Sequence, residues 1–227
     1  MSLQPIRLAL FDLDHTLLPL DSDHAWGEFT VKLGWRDAHT HSRANDAFYA
    51  QYKAGTLDIA AYVRFATSAV REQGQAKSDL AHARFMEQVI RPAIRPQAIE
   101  LVREHQRAGD TVVIVTATNE FVTRPIAQAF GVDELIAIEL ERDAQGEPTG
   151  EIRGTPSFRE GKVARVEQWL AARGLSWDRV ANSSFYSDSI NDLSLLEKVH
   201  QPVATNPDER LGAIAAERGW RILTLFP

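Results

Sequence analysis

Six short apolar runs limit what this chain can fold into: IRLALF (6–11), TVVIVT (111–116), LIAIEL (135–140), SSFYS (183–187), QPVAT (201–205) and RILTLF (221–226). Segments with helical spacing, among them 97–108, 120–130 and 162–172, separate them. The runs are almost continuously apolar rather than alternating, which suits parallel strands covered on both faces. The expectation is an α/β protein, a doubly wound Rossmann-like parallel sheet that gathers ligands at the carboxyl ends of its strands. With 227 residues, 44% of them hydrophobic, there is material for one substantial core and a smaller insert.

The insert is placed by a break in rhythm. From about Leu18 to Pro92 no segment reads as a strand; HAWGEFTVKLG, ANDAFYAQYKAG, IAAYVRFATSAV and DLAHARFMEQVI all carry helical patterning. This predicts a helical cap domain over 18–92, inserted after the first strand of a core formed by 1–17 and 93–227. A second interruption, ELERDAQGEPTGEIRG (139–154), predicts a turn between two strands from its Gly and Pro. The HTHS segment at 39–42 reads as a cap loop or helix start rather than a metal motif.

Composition narrows the function classes. Twenty-five Lys and Arg against 31 Asp and Glu give a formal net charge of −6, and no basic run offers a track for nucleic-acid phosphates. The chain has no cysteine, which excludes disulfides, thiolate metal ligands and cysteine nucleophiles. No apolar run approaches the roughly 20 residues that span a bilayer, and Asp12 and Asp14 interrupt any signal-like N-terminal segment. A cytoplasmic protein that acts on a small molecule, without nucleic-acid or membrane partners, is the expectation.

Four strand ends carry chemistry. In FDLDHT, Asp12 and Asp14 emerge on one side of the first strand, as a cation site, a nucleophile–acid pair, or a surface turn with a capping Asp. In VIVTATNEF, Thr116, Ala117 and Thr118 precede a helix, as a phosphate cradle or as N-capping by Thr118 or Asn119. Lys162 opens a helix against the dipole, which asks for a partner anion unless the side chain is simply solvated. In FYSDSINDLSLL, Asp188, Asn191 and Asp192 follow a strand; the two aspartates share a face if helical geometry has begun, and acidic residues also suit a helix start for dipole reasons alone. If the four ends converge, Asp12, Asp14, Asp188 and Asp192 bring four negative charges and a phosphate monoester about two more. Lys162 balances one, so a divalent cation is needed, and all-oxygen ligands favour Mg²⁺.

In this order the motifs resemble the haloacid dehalogenase superfamily, specifically its phosphatases with a helical cap after the first motif: D-x-D-x-T as Asp12 to Thr16, then Thr116, Lys162, and D-x-x-x-D as Asp188 with Asp192. The resemblance implies that Asp12 attacks phosphorus to form an aspartyl-phosphate, while Asp14 protonates the leaving oxygen and later activates water. It further implies that the Asp12 carboxylate, the Asp14 main-chain carbonyl and Asp188 hold Mg²⁺. Thr116, the Ala117 N–H and Lys162 would grip phosphoryl oxygens, Asn191 would join the substrate-binding residues, and Asp192 would orient Lys162 or metal-bound water. Two subgroups come nearest, the phosphoserine and the histidinol-phosphate phosphatases. Matching to the former places Asp21, with Asp23 nearby, where the substrate amine is received. It also puts Ala66 where a cap arginine clamps the substrate carboxylate, leaving Arg64 two residues away. An amine receiver without a carboxylate clamp suits an amino-alcohol phosphate such as histidinol phosphate, with Trp26 either stacking on its ring or packing the cap core. Phosphoserine is the alternative ester. A receiver-like phosphoacceptor module is the alternative class, disfavoured by the long insert. A dinucleotide enzyme would need a G-x-G-x-x-G turn where FDLDHT stands.

Overall fold

The computed structural model of the chain describes residues 6–226. In chain order the strands are β1 (Ile6–Phe11), β2 (Thr111–Asn119), β3 (Glu134–Ile138), β4 (Leu140–Arg142), β5 (Pro148–Ile152), β6 (Val180–Ser187), β7 (Gln201–Thr205) and β8 (Arg221–Leu223). Six of them form one sheet in the order β3-β2-β1-β6-β7-β8, with every neighbouring pair parallel, while β4 and β5 make an antiparallel hairpin outside it.

The insert after β1 contains α1 (Ser22–Lys32), α2 (Ala38–Ala54), α3 (Ile59–Ala66), α4 (Ser68–Gln73) and α5 (Gln75–Phe85), which runs through a π turn at Met86–Ile90 into a short α6 (Arg91–Ala93). The rest of the core adds α7 (Pro96–Arg107), α8 (Glu120–Ala129), α9 (Glu160–Ala171), α10 (Leu193–Leu196) and α11 (Glu209–Arg218). Strand alternation divides the central residues between two apolar layers. Ala9, Phe11, Val112 and Ile114 pack with Leu101 and Val102 of α7 and Val122 and Ile126 of α8. Leu8, Leu10, Val113 and Val115 pack with Val166 and Leu170 of α9 and Leu211 of α11. At roughly 1.5–3 kcal/mol for each buried side chain of this size, burial on both faces makes the carboxyl ends of β1, β2 and β6 a firm base for a site.

Aspartates start the first helices after β1: Asp21, Asp37 and Asp58 each accept a backbone N–H in the first turn of α1, α2 and α3. The HTHS segment lies in the first turns of α2. The insert is rooted in the main core, because Trp26 and Phe29 of α1 and Phe85 of α5 join the same cluster as β1 and β2.

Two strand expectations change. LIAIEL is broken at Glu139: Leu140 pairs with Ile152 in the hairpin outside the main sheet and buries its side chain with Val63 of α3 and Ile138 at the end of β3. RILTLF ends as a strand at Leu223, because Asn206 Oδ1 takes the N–H groups of Leu225 and Phe226 at 2.7 and 3.1 Å.

Candidate active site

The adjacent carboxyl ends of β1, β2 and β6 deliver the first, second and fourth motifs to one place, and the start of α9 delivers Lys162. Lys162 Nζ donates to Asp12 Oδ1 at 2.8 Å and to Asp192 Oδ2 at 2.7 Å, and all three side chains are buried. Ser187 Oγ donates to the same Asp192 oxygen at 2.7 Å. Burial works against the Lys162 charge, but Asp12 and Asp192 outweigh it and hold the ammonium above the usual lysine range. This is the partner anion that a lysine in a first helical turn asked for. The backbone around it has little freedom, since a Cβ on Gly161 would run into the Pro156 carbonyl oxygen.

Asp12 and Asp188 converge on one hydroxyl. Thr16 Oγ1 lies 3.1 Å from Asp188 Oδ1 and 3.5 Å from Asp12 Oδ2, and it accepts the Asp188 N–H at 3.0 Å. Burial, and then the charges of Asp12 and Asp192, push the Asp188 carboxyl well above its ordinary range. Such crowding of like charges is relieved by a cation. Among the described residues no three acidic or histidine side chains are grouped as a metal cage. Asp12 and Asp188 offer carboxylate oxygens, the hard donor type that fits Mg²⁺.

Asp14 is held differently. Its Oδ1 accepts the Ser22 N–H and its Oδ2 the Thr118 hydroxyl, both at 2.8 Å. Burial, then Asp21 and Asp12, raise its carboxyl well above the usual range, the direction a proton donor needs. The residues at the β2 end divide between two places. Asn119 caps α8 by accepting the Val122 N–H, while Thr116, Ala117 and Thr118 line a cavity with Asp12, Asp14 and Asp188.

The helical insert supplies the other wall of that cavity. Asp21 lines it, and α2 turns Asn45, Phe48, Tyr49 and Tyr52 into it, with Ile59 and Tyr62 of α3 beside them. Asn45, Phe48, Tyr49 and Tyr52 stand at the i, i+3, i+4 and i+7 positions of one helix face, a stripe that was present in the sequence and not used.

Four expected substrate contacts lie elsewhere. The Trp26 ring is buried against Phe29, Trp35, His82, Phe85 and Phe121, with centroid distances of 5.4 to 6.4 Å, so it packs the cap root and does not line the cavity. Arg64 is exposed and paired with Glu151 of the hairpin at 3.3 Å. Asn191 Nδ2 donates to the Tyr52 carbonyl at 3.0 Å, also outside the lining. Asp23 is buried behind Asp21, where it accepts from Asn119 Nδ2 at 3.3 Å and from the Tyr62 hydroxyl.

Burial, and then the Asp21 charge, push the Asp23 carboxyl up to about 7. A carboxyl whose folded pKa exceeds its unfolded value retains its proton only in the folded state over that interval, so stability falls as pH rises from about 4 to 7. Asp23→Asn should remove this slope: its denaturation midpoint should match the parent near pH 4 and exceed it increasingly up to pH 7. Parallel pH profiles for the two proteins would contradict the assignment.

Comparison with known proteins agrees with this arrangement. The sequence pattern of the haloacid dehalogenase-like hydrolases matches residues 9–197. A histidinol-phosphatase from Neisseria meningitidis is 43% identical over 217 residues, covering 96% of this chain and 98% of that protein. A phosphoserine phosphatase from Mycobacterium tuberculosis is 31% identical over 220 residues, 94% of this chain and 69% of its own. A crystal structure of a Bordetella pertussis protein of unknown function superposes with a TM-score of 0.93 at 49% identity, covering 98% of this chain and all of the other. A phosphoserine phosphatase solved as a phospho-aspartyl intermediate analogue shares the fold, with a TM-score of 0.67 at 19% identity over 98% of this chain and 95% of its own. The four motifs, their convergence and the match over most of the chain give one conclusion: the chain belongs to the haloacid dehalogenase-like hydrolase family.

Proposed function

We propose that this hydrolase is a Mg²⁺-dependent phosphomonoesterase acting through an aspartyl-phosphate, and that its substrate is histidinol phosphate. Asp12 is the nucleophile: Lys162 holds one of its oxygens, and Thr16 lies beside the other. Asp14, with its raised proton affinity, gives a proton to the leaving alkoxide and afterwards takes one from the attacking water. Thr116, the Ala117 N–H and Lys162 bind phosphoryl oxygens, and Asp192 keeps Lys162 in position. The Asp12 and Asp188 carboxylates and the Asp14 carbonyl would hold Mg²⁺, which when bound neutralises phosphoryl charge. Positioning and charge compensation are the large terms in phosphoryl transfer.

The substrate assignment rests on the charge of the cavity wall. Asp21 offers a carboxylate for an amine, and Phe48, Tyr49 and Tyr62 offer flat apolar surface for a ring. Among the described lining residues there is no arginine or lysine to clamp a carboxylate, and Arg64 is committed to Glu151 outside. Such a wall suits an amino-alcohol ester better than an amino-acid ester, and the 43% identity to a histidinol-phosphatase supports the same choice. The test is phosphate release from L-histidinol phosphate and O-phospho-L-serine, each with Mg²⁺ and with EDTA. Histidinol phosphate should be favoured by about 10- to 100-fold in kcat/KM, the worth of one or two charge-assisted contacts, and EDTA should abolish both activities. Preference for phosphoserine would end the substrate assignment.

A further inference from the structure

The cap also brings a hydroxyl to the catalytic carboxylates. Tyr52 lies in the last turn of α2 and lines the cavity with Asp12, Asp188 and Thr116. Asp192, Asp12 and Asp188 all act on its phenol electrostatically, adding to burial in holding the proton on. The Ser189 hydroxyl, which accepts the Asn191 N–H at 3.2 Å, is a hydrogen-bond partner of the Tyr52 phenol. A phenol both donates and accepts, so a residue that lines the cavity with Asp12, Asp188 and Thr116 offers a donor to an oxygen that enters there.

The end of α2 explains how the ring is held there. The Tyr52 carbonyl already accepts the Gly55 N–H that caps α2, and Asn191 Nδ2 adds a second donor to it at 3.0 Å; just past the helix, the Arg159 guanidinium donates to the Gly55 carbonyl. Gly55 closes the helix in the left-handed region at φ 71°, as a C-terminal glycine does. Arg159 itself has φ 53° and ψ −125°, a conformation that glycine adopts far more easily. The tight turn it makes runs from Phe158 to Gly161, directly before Lys162. The segments that carry Lys162, Asp188 and Asp192 therefore also grip the helix that carries Tyr52.

We propose that Tyr52 is a further catalytic residue, supplied by the cap, whose hydroxyl donates a hydrogen bond to an oxygen of the phosphoryl group while Asn191 and Arg159 hold the end of α2 in place. This extends the phosphomonoesterase reading and rests on it. The phosphoryl group offers the phenol proton a charged acceptor, and the cradle of Thr116, Ala117 and Lys162 gains a donor from the opposite wall. The contact depends on the phosphoryl group alone, so it serves any ester that enters.

The experiment compares wild type, Tyr52→Phe and Arg159→Gly in full-length protein with Mg²⁺. The measurements are kcat and KM for histidinol phosphate and for p-nitrophenyl phosphate, inhibition by orthovanadate, and thermal midpoint. Tyr52→Phe retains the ring, so its midpoint should stay near wild type. Its kcat should fall about 10- to 100-fold for both esters, the worth of a hydrogen bond to a charged group, and vanadate should weaken by a similar factor. Arg159→Gly relieves the backbone and removes the grip on Gly55; its midpoint should hold or rise while kcat and vanadate affinity fall together. Unchanged kcat and vanadate affinity in Tyr52→Phe would overturn the proposal, as would a loss seen only in KM. Wild type that releases phosphate from neither ester would overturn the phosphomonoesterase reading beneath it, a result distinct from failure of the variant alone.

Discussion

Lys162→Met should cost about 3–5 kcal/mol of folding stability, the usual penalty for breaking a buried ion pair, and on the order of a thousandfold in turnover through loss of a preorganised charge. Methionine fills similar space, so the loss is electrostatic. Asp12 and Asp192 would remain buried 2.8 and 2.7 Å from where the ammonium stood, with nothing of opposite sign between them. Even with Lys162 in place, burial raises the Asp192 carboxyl to about 6. Without the lysine its pKa rises further, and the sign of the pH dependence follows: a carboxyl with a folded pKa above its unfolded value destabilises as pH rises. The deficit of the variant should be largest near pH 8 and shrink toward pH 5, where the carboxyl is protonated. Adding Asp192→Asn should recover part of the stability and none of the turnover, a non-additivity expected of residues in one network. Chemical denaturation at both pH values with phosphate-release assays decides it. Equal stability at pH 8 with turnover within threefold of wild type would show that Lys162 is not the central counter-charge.

The residues that sequence reasoning expected to meet, and that the structure brings together, share a property. Asp12, Thr116, Lys162 and Asp188 are fixed by strand ends and helix starts, and a parallel sheet brings such ends together whatever the intervening loops do. Apolar runs locate the strands because burial on both faces demands them, as Leu8 with Leu10 and Ala9 with Phe11 show on the two sides of β1. The cap offered no such rule. Trp26 and Tyr52 are both aromatic residues on cap helices, and linear order does not reveal that one face of α1 meets Phe85 and Phe121 while one face of α2 meets the carboxylates. Arg64 was near the right place in sequence, but on a short helix two residues are more than half a turn, enough to carry it out to Glu151. The readable signal was the stripe Asn45, Phe48, Tyr49 and Tyr52, polar and aromatic together where an ordinary core face would be aliphatic. Thr16, Thr118, Ser187 and Ser189 are the supporting hydroxyls. Thr16 and Thr118 stand inside the first two motifs, but which carboxylate each hydroxyl serves became visible only with coordinates, because a hydroxyl beside a carboxylate leaves no periodic trace in a sequence.

Asp12→Asn should reduce turnover by a factor on the order of 10⁴ or more, as removal of a nucleophile does, with the fold unchanged. The amide keeps the shape of the carboxylate, and its oxygen can still accept from Lys162 and leave the contact with Asp192 undisturbed. Removing one charge also eases the crowding that raises Asp14 and Asp188, so the thermal midpoint should stay level or rise. The same relief should leave affinity for inorganic phosphate intact or strengthened, because the anion no longer approaches a carboxylate. Loss of turnover with binding retained separates a missing nucleophile from a collapsed site. Asp14→Asn provides the contrast: it keeps the proposed nucleophile and loses the proposed proton donor held by Ser22 and Thr118. Activated esters with good leaving groups should therefore still phosphorylate it, and the phosphoenzyme should persist because water is no longer activated. Acid-quenched protein treated with hydroxylamine reads the difference, since an acyl phosphate is cleaved by that reagent. Label should accumulate in Asp14→Asn and be absent from Asp12→Asn. Equal labelling of the two variants would place the covalent step on another residue and remove Asp12 from the centre of the mechanism.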